Sequence, residues 1–222
     1  MNNHDNLVKM FKNKNLLELA LTHRSWVNEN KGVRESNERL EFLGDAILEF
    51  VVSKELFKNY PDQEEGYLTA LRANIVNTVS LANIAKKLEV GATLYLSKGE
   101  EEGGGRENTS LLANTVEAII GALFLDQGIR HASRFINQNI LSEVPNIVKQ
   151  PLKDAKSRLQ ELVQAMGLST PKYEVVEESG PDHAKQFRIS VVVDGKRWGD
   201  GIGKNKSEAA QFAAKKAIEN YS

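Results

Sequence analysis

Apolar residues recur at helical spacing through the first two-thirds of the chain and alternate at strand spacing near its end. Leu16, Leu17, Leu19, Ala20 and Leu21 form a first apolar cluster. "NERLEFLGDAILEFVVSKELFKNY" sets Leu40, Leu43, Ile47, Phe50 and Val51 at helical intervals and stops near Tyr60-Pro61. "EGYLTALRANIVNTVSLANIAKKL" reads as a further helical region ended by Gly91. The Gly-rich, charged segment "LSKGEEEGGGRENTS" reads as a solvated loop, with Thr109 or Ser110 capping the helix that follows. That helix, "SLLANTVEAIIGALFLDQG", has almost no polar face. Yet Asn114 and Glu117 stand in its middle, three residues apart and therefore on one side. A carboxylate taken out of water without a partner costs several kcal/mol or takes up a proton, so Glu117 needs a reason to be there.

"SEVPNIVKQPLKDA" carries two prolines and few large apolar residues, and residues 148–152 read as a linker. Beyond it the pattern changes. "LKDAKSRLQELVQAMGL" is an amphipathic helix stopped at Gly167, and "YEVVEE" is a short strand. "KQFRISVVV" alternates Phe187, Ile189, Val191 and Val193 inward, and Asp194-Gly195 is a hairpin turn into "KRWGDGIG". "SEAAQFAAKKAIENY" closes as an Ala-rich helix with Ser207 at its N-cap. The expected organisation is an all-α domain over 1–147 and an α-β-β-β-α domain over 153–222.

Composition narrows the classes. With 41% apolar and 27% charged residues the chain can bury a core, and it holds no uninterrupted run of 18 apolar residues, so no transmembrane helix is expected. The first residues lack the apolar stretch of a signal peptide, and the absence of cysteine excludes disulfides, thiolate zinc sites and a Cys nucleophile. A cytoplasmic protein is expected. Residues 1–150 hold 17 Lys and Arg against 20 Asp and Glu, while 151–222 hold 12 against 10. The balance is too even to name a partner, so charge placement has to carry the argument.

On the helix that begins at "NERLEF", Glu38, Glu41, Asp45 and Glu49 fall at i, i+3, i+7 and i+11 and line one face. Gly44 lies inside this stripe, and a mid-helix glycine costs ~1 kcal/mol relative to alanine, usually marking a close approach. If the Asn114–Glu117 helix crosses that face, Glu41, Asp45, Asn114 and Glu117 converge. Such a nest of hard oxygens suits Mg²⁺, with Mn²⁺ the expected substitute, and the chemistry that follows is metal-assisted phosphodiester hydrolysis. Spacing alone leaves a structural ion-pair network open.

"NERLEFLGDAILEF" resembles the signature stretch of the ribonuclease III family, and "LTHRSW" and "LLANTVEAIIGALFLD" resemble its flanking helices. The last 70 or so residues resemble a double-stranded-RNA-binding domain. The resemblance covers nearly the whole chain. It implies a homodimeric, Mg²⁺-dependent endonuclease that cuts double-stranded RNA, with neither DNA nor membrane as a partner. The products would carry 5′-phosphate and 3′-hydroxyl ends with short 3′ overhangs, and the substrates would be ribosomal-RNA precursors and structured messenger RNAs. By the same resemblance Glu41, Asp45 and Glu117 match metal ligands, and Glu38 and Glu65 match two further active-site carboxylates. Phe42 matches a residue that plugs the partner subunit, its alternative being a plain core phenylalanine. Asn114 departs from the family, whose fourth ligand is most often aspartate. The change removes one negative charge from the site, so weaker Mg²⁺ binding is expected. A regulator that binds duplex RNA without cutting it is the alternative.

A-form RNA hides its base edges, so a protein reads its phosphates, 2′-hydroxyls and shape. Lys204 and Lys206 stand at the start of the last helix, whose N-terminus already favours phosphate. Pro181 and His183 lie in the loop between the first two strands, which in the family enters a minor groove. Gln160 and Gln164 sit one turn apart on the first helix of that domain, in reach of 2′-hydroxyls. Ser207 and Ala210 occupy places where the family often has lysine, which points to modest affinity from the isolated domain.

Overall fold

The structure is a computed structural model that describes residues 7–148, 155–181 and 185–221. The chain divides into two compact units, Met1–Gln150 and Pro151–Ser222.

In the first unit the described helices are α1 (Lys14–Ala20), α2 (Arg24–Glu29), α3 (Glu38–Asn59), α4 (Glu65–Val76), α5 (Thr78–Lys87), α6 (Lys98–Glu102), α7 (Thr109–Gln127), α8 (Ile129–Asn139) and α9 (Val144–Ile147). Its core is built around α7, where Leu112, Val116, Ile119, Ile120 and Leu123 are almost fully buried. α7 is long and apolar enough to cross a membrane by length and composition alone, but more than half of it is buried inside the unit, as in the core helix of a packed domain. Leu40, Ile47, Leu48, Val51 and Val52 of α3 supply the facing side of the core.

α3 and α7 meet backbone to backbone. A Cβ on Gly44 would lie 1.7 Å from the Glu117 carbonyl oxygen, and one on Gly121 would lie 2.3 Å from the Leu40 carbonyl oxygen. No side chain fits at either position, and this is the close approach that Gly44 signals. The start of α3 is tied down by Asn37, which is buried and satisfied: its amide donates to the Ala20 carbonyl at 3.0 Å, and its N–H to Thr22 at 2.9 Å. Arg34, just upstream, pairs with Glu18, donates to the Thr22 hydroxyl at 3.0 Å, and lies over the rings of Trp26 and Tyr95.

Three local readings change. The long third helical region is two helices, broken at Asn77, whose side chain caps α5 by accepting from Ser80 N–H at 2.9 Å. No Gly or Pro marks that break, only an asparagine in a cap role. The solvated loop before α7 contains α6 and a 3₁₀ turn at Gly105–Glu107. Arg106 holds it by donating to the carbonyls of Gly91, Ala92 and Leu94. The cap of α7 is Asn108, accepting from Ser110 and Leu111 N–H, rather than Thr109 or Ser110.

In the second unit α10 (Ala155–Ala165), β1 (Lys172–Ser179), β2 (Gln186–Val193), β3 (Lys196–Gly203) and α11 (Lys206–Tyr221) follow in order, the strands forming one antiparallel sheet β1-β2-β3. Ile189, Val191 and Val193 pack with Leu159, Val163 and the alanines of α11, as the alternation requires. Asp194 and Gly195 both have positive φ (48° and 75°), the conformation of a type I′ hairpin turn. On β3, Gly201 lets α11 approach: a Cβ there would lie 2.2 Å from the Ala209 carbonyl. The cap of α11 is Asn205, not Ser207: its side chain accepts from Glu208 N–H at 2.9 Å, while the Glu208 carboxylate accepts from Lys204 N–H at 2.6 Å.

Candidate active site

The α3/α7 crossing places Glu41, Asp45, Asn114 and Glu117 on facing sides of two helices. Glu41, Asn114 and Glu117 are half-buried and Asp45 is exposed. Asn114 and Glu41 line one cavity, where the Asn114 side chain favours the ionised form of the Glu41 carboxylate. Burial, followed by the negative charges of Asp45, Glu41 and Glu49, pushes the Glu117 carboxyl up to about 7. Glu41 is also raised, first by burial and next by Glu38. Two neighbouring carboxyls thus resist ionisation, which is the electrostatic signature of a site built for positive charge. Among the described residues no three acidic or histidine side chains stand close enough together to hold a metal ion as placed. The donor set is right in kind, three carboxylates and an amide oxygen. Closing it on a cation requires side-chain movement.

The remaining acidic residues divide. Glu38 lines the same cavity as Glu41 and Asn114, a space of about 260 Å³, and is bound by Arg24 (3.3 Å) and the Ser36 hydroxyl (2.8 Å). Glu49 is engaged by Arg72 of α4 at 2.7 Å. Glu65 is not among the residues that line this cavity. It opens α4, accepts from the Thr69 hydroxyl at 2.9 Å, and lines a groove with Phe50, Phe57 and Leu68. Phe42 is 80% exposed, which removes the plain core reading. Sequence reasoning missed Arg24 and His23, which line the cavity beside Glu41, although "LTHRSW" contains both; nothing local says that this segment reaches α3.

In the second unit Gln160 and Gln164 are exposed on α10, each next to a buried residue, Leu159 and Val163. Lys204 and Lys206 are exposed at the start of α11, and Pro181 is exposed beyond β1. His183 lies outside the described residues.

Residues 13–144 match the family model described as Ribonuclease-III-like, and residues 155–221 match the Double-stranded RNA binding motif. "Ribonuclease 3" of Streptococcus equi subsp. zooepidemicus (strain H70) is 45% identical over 213 residues, 96% of this chain and 93% of the relative. "Ribonuclease 3" of Geobacillus thermodenitrificans (strain NG80-2) is 47% identical over 210 residues, 94% of this chain and 85% of the relative. The solved nuclease domain of ribonuclease III from Campylobacter jejuni matches with 43% identity and a TM-score of 0.59, over 64% of this chain and 96% of that one. Its description concerns flexibility in a region involved in dimer formation. Fold and site therefore define a helical nuclease unit followed by a double-stranded-RNA-binding module. The chain belongs to the ribonuclease III family, and its activity is that of an endoribonuclease acting on double-stranded RNA. The family is metal-dependent.

Proposed function

We propose that this protein hydrolyses phosphodiester bonds of double-stranded RNA with Mg²⁺, leaving 5′-phosphate and 3′-hydroxyl ends with short 3′ overhangs. The observation that carries the metal is Glu117: a half-buried carboxyl held up to about 7 first by burial and then by Asp45, Glu41 and Glu49 is one whose ionised form a bound cation would favour. In this reading Glu41, Asp45, Asn114 and Glu117 hold Mg²⁺, or Mn²⁺ in its place. The bound cation would lower the pKa of a water and neutralise the leaving oxygen. Glu38, poised between Arg24 and Ser36 at the edge of the cavity, helps orient the strand. Glu65, which lines a groove with Phe50 and Arg72, assists RNA or second-metal binding, and exposed Phe42 plugs the partner subunit of a homodimer. The RNA-binding unit, joined through the linker 148–152, holds the duplex through Gln160, Gln164, Pro181, His183, Lys204 and Lys206. Work on ribosomal-RNA precursors and structured messenger RNAs in the cytoplasm fits this activity.

Asn114, which lines the cavity beside Glu41 where the family most often has aspartate, favours a second reading, a duplex binder that cuts weakly or not at all. A long RNA duplex incubated with the protein in Mg²⁺ or EDTA separates the two. Cleavage only with Mg²⁺, lost in Glu117→Gln, is expected; intact duplex at high Mg²⁺ and Mn²⁺ would establish the binder.

A further inference from the structure

One carboxylate in the RNA-binding unit holds two lysines. Glu178, near the end of β1, lies 2.9 Å from the ammonium of Lys206, the first residue of α11. Its other oxygen lies 3.8 Å from the ammonium of Lys185, just before β2. Phe187, paired with Glu178 across the sheet, underlies both cations, with Lys206 5.4 Å and Lys185 6.0 Å from its ring centre. All three charged side chains are open to solvent. The hydrogen bond from Lys206 comes first among the causes that hold the Glu178 carboxyl below its usual range, so the group is an anion at any working pH.

We propose that Glu178 is a brake on duplex binding: it engages Lys206 and Lys185 and cancels part of the attraction those lysines exert on RNA phosphate. This rests on the reading that Lys206 meets phosphate. Two effects of Glu178 oppose each other, since it could position the lysines as well as neutralise them. Magnitude decides between them. An exposed ion pair adds little order, and Phe187 still underlies both cations without the carboxylate. By contrast, each phosphate neutralised adds about −0.9 to the slope of log K against log salt. Removal of the carboxylate therefore strengthens binding.

The test uses the full chain and a duplex RNA in EDTA, with affinity followed by fluorescence anisotropy across a KCl series. Glu178→Gln is expected to bind about 3- to 10-fold more tightly at low salt, with a slope steeper by up to about one. The advantage should fade as salt rises. Lys206→Ala should weaken binding and flatten the slope, and in the double variant the gain from Glu178→Gln should shrink. If Lys206→Ala weakens binding but Glu178→Gln binds no tighter than the parent, the brake alone is overturned. If Lys206→Ala changes neither affinity nor slope, the phosphate-contact reading falls and takes the brake with it.

Discussion

Asn114 of α7 and Glu41 of α3 line one cavity, and the Asn114 side chain favours the ionised form of the Glu41 carboxylate against burial and Glu38, which raise it. Asn114→Asp would replace that neutral amide by a second anion beside Glu41. The Mg²⁺ concentration for half-maximal cleavage should then fall several-fold, because hard cations are held largely by ligand charge. In EDTA the same variant should melt at a lower temperature than the parent, since a side chain that favours the Glu41 carboxylate is exchanged for one that repels it. An unchanged Mg²⁺ requirement would show that charge at position 114 does not limit metal binding.

Glu117 makes stability depend on pH in a defined direction. Its carboxyl is raised from 4.5 to about 7, so between those values the native state binds the proton that the unfolded chain releases. The contribution is fully present below about 4.5 and is lost as pH rises through about 7. After a discount for partial solvent access it amounts to about 1–2 kcal/mol. Urea unfolding in EDTA from pH 5 to pH 8 should show the parent losing this much relative to Glu117→Gln. Parallel curves for the two proteins would count against the raised carboxyl.

Gly44→Ala should be among the most damaging single substitutions in the nuclease unit. Its methyl would lie 1.7 Å from the Glu117 carbonyl oxygen, and backbone cannot step aside as a side-chain tip can. A loss of about 3 kcal/mol or more is expected. Chemical denaturation measures it, and a change below about 1 kcal/mol would mean that the helices do not touch as described.

Phe42 is a surface residue of the single chain, so Phe42→Glu should leave the unfolding free energy within about 0.5 kcal/mol of the parent at a concentration where both are monomeric. The homodimer should dissociate at concentrations where the parent remains paired. Sedimentation equilibrium gives both association constants, and equal values would remove Phe42 from the interface.

What could be read from the sequence was local. The i, i+3, i+7 spacing of Glu38, Glu41 and Asp45 needs one helix to be visible, and Asp194-Gly195 carries its turn within two residues. Gly44 announces a close approach, but only the packed structure shows that the approaching group is the Glu117 carbonyl and that Gly121 answers it from the other side. Glu49 reads as one more member of the acidic stripe until Arg72 arrives from α4. Glu178 reads as an ordinary strand residue, because its lysines lie 7 and 28 positions along the chain. Asn77, Asn108 and Asn205 all act as helix caps, and Asn77 was the least visible because its neighbours continue the helical pattern unbroken.

The Gly44–Gly121 crossing has an evolutionary corollary. Where two helices are separated by side chains, larger or smaller residues can move them either way. Here the interval between the carboxylates of α3 and α7 is fixed by main-chain atoms in contact, and no residue is smaller than glycine. Substitution at either position can only widen the gap, so variation there is one-sided: the spacing is already at its minimum.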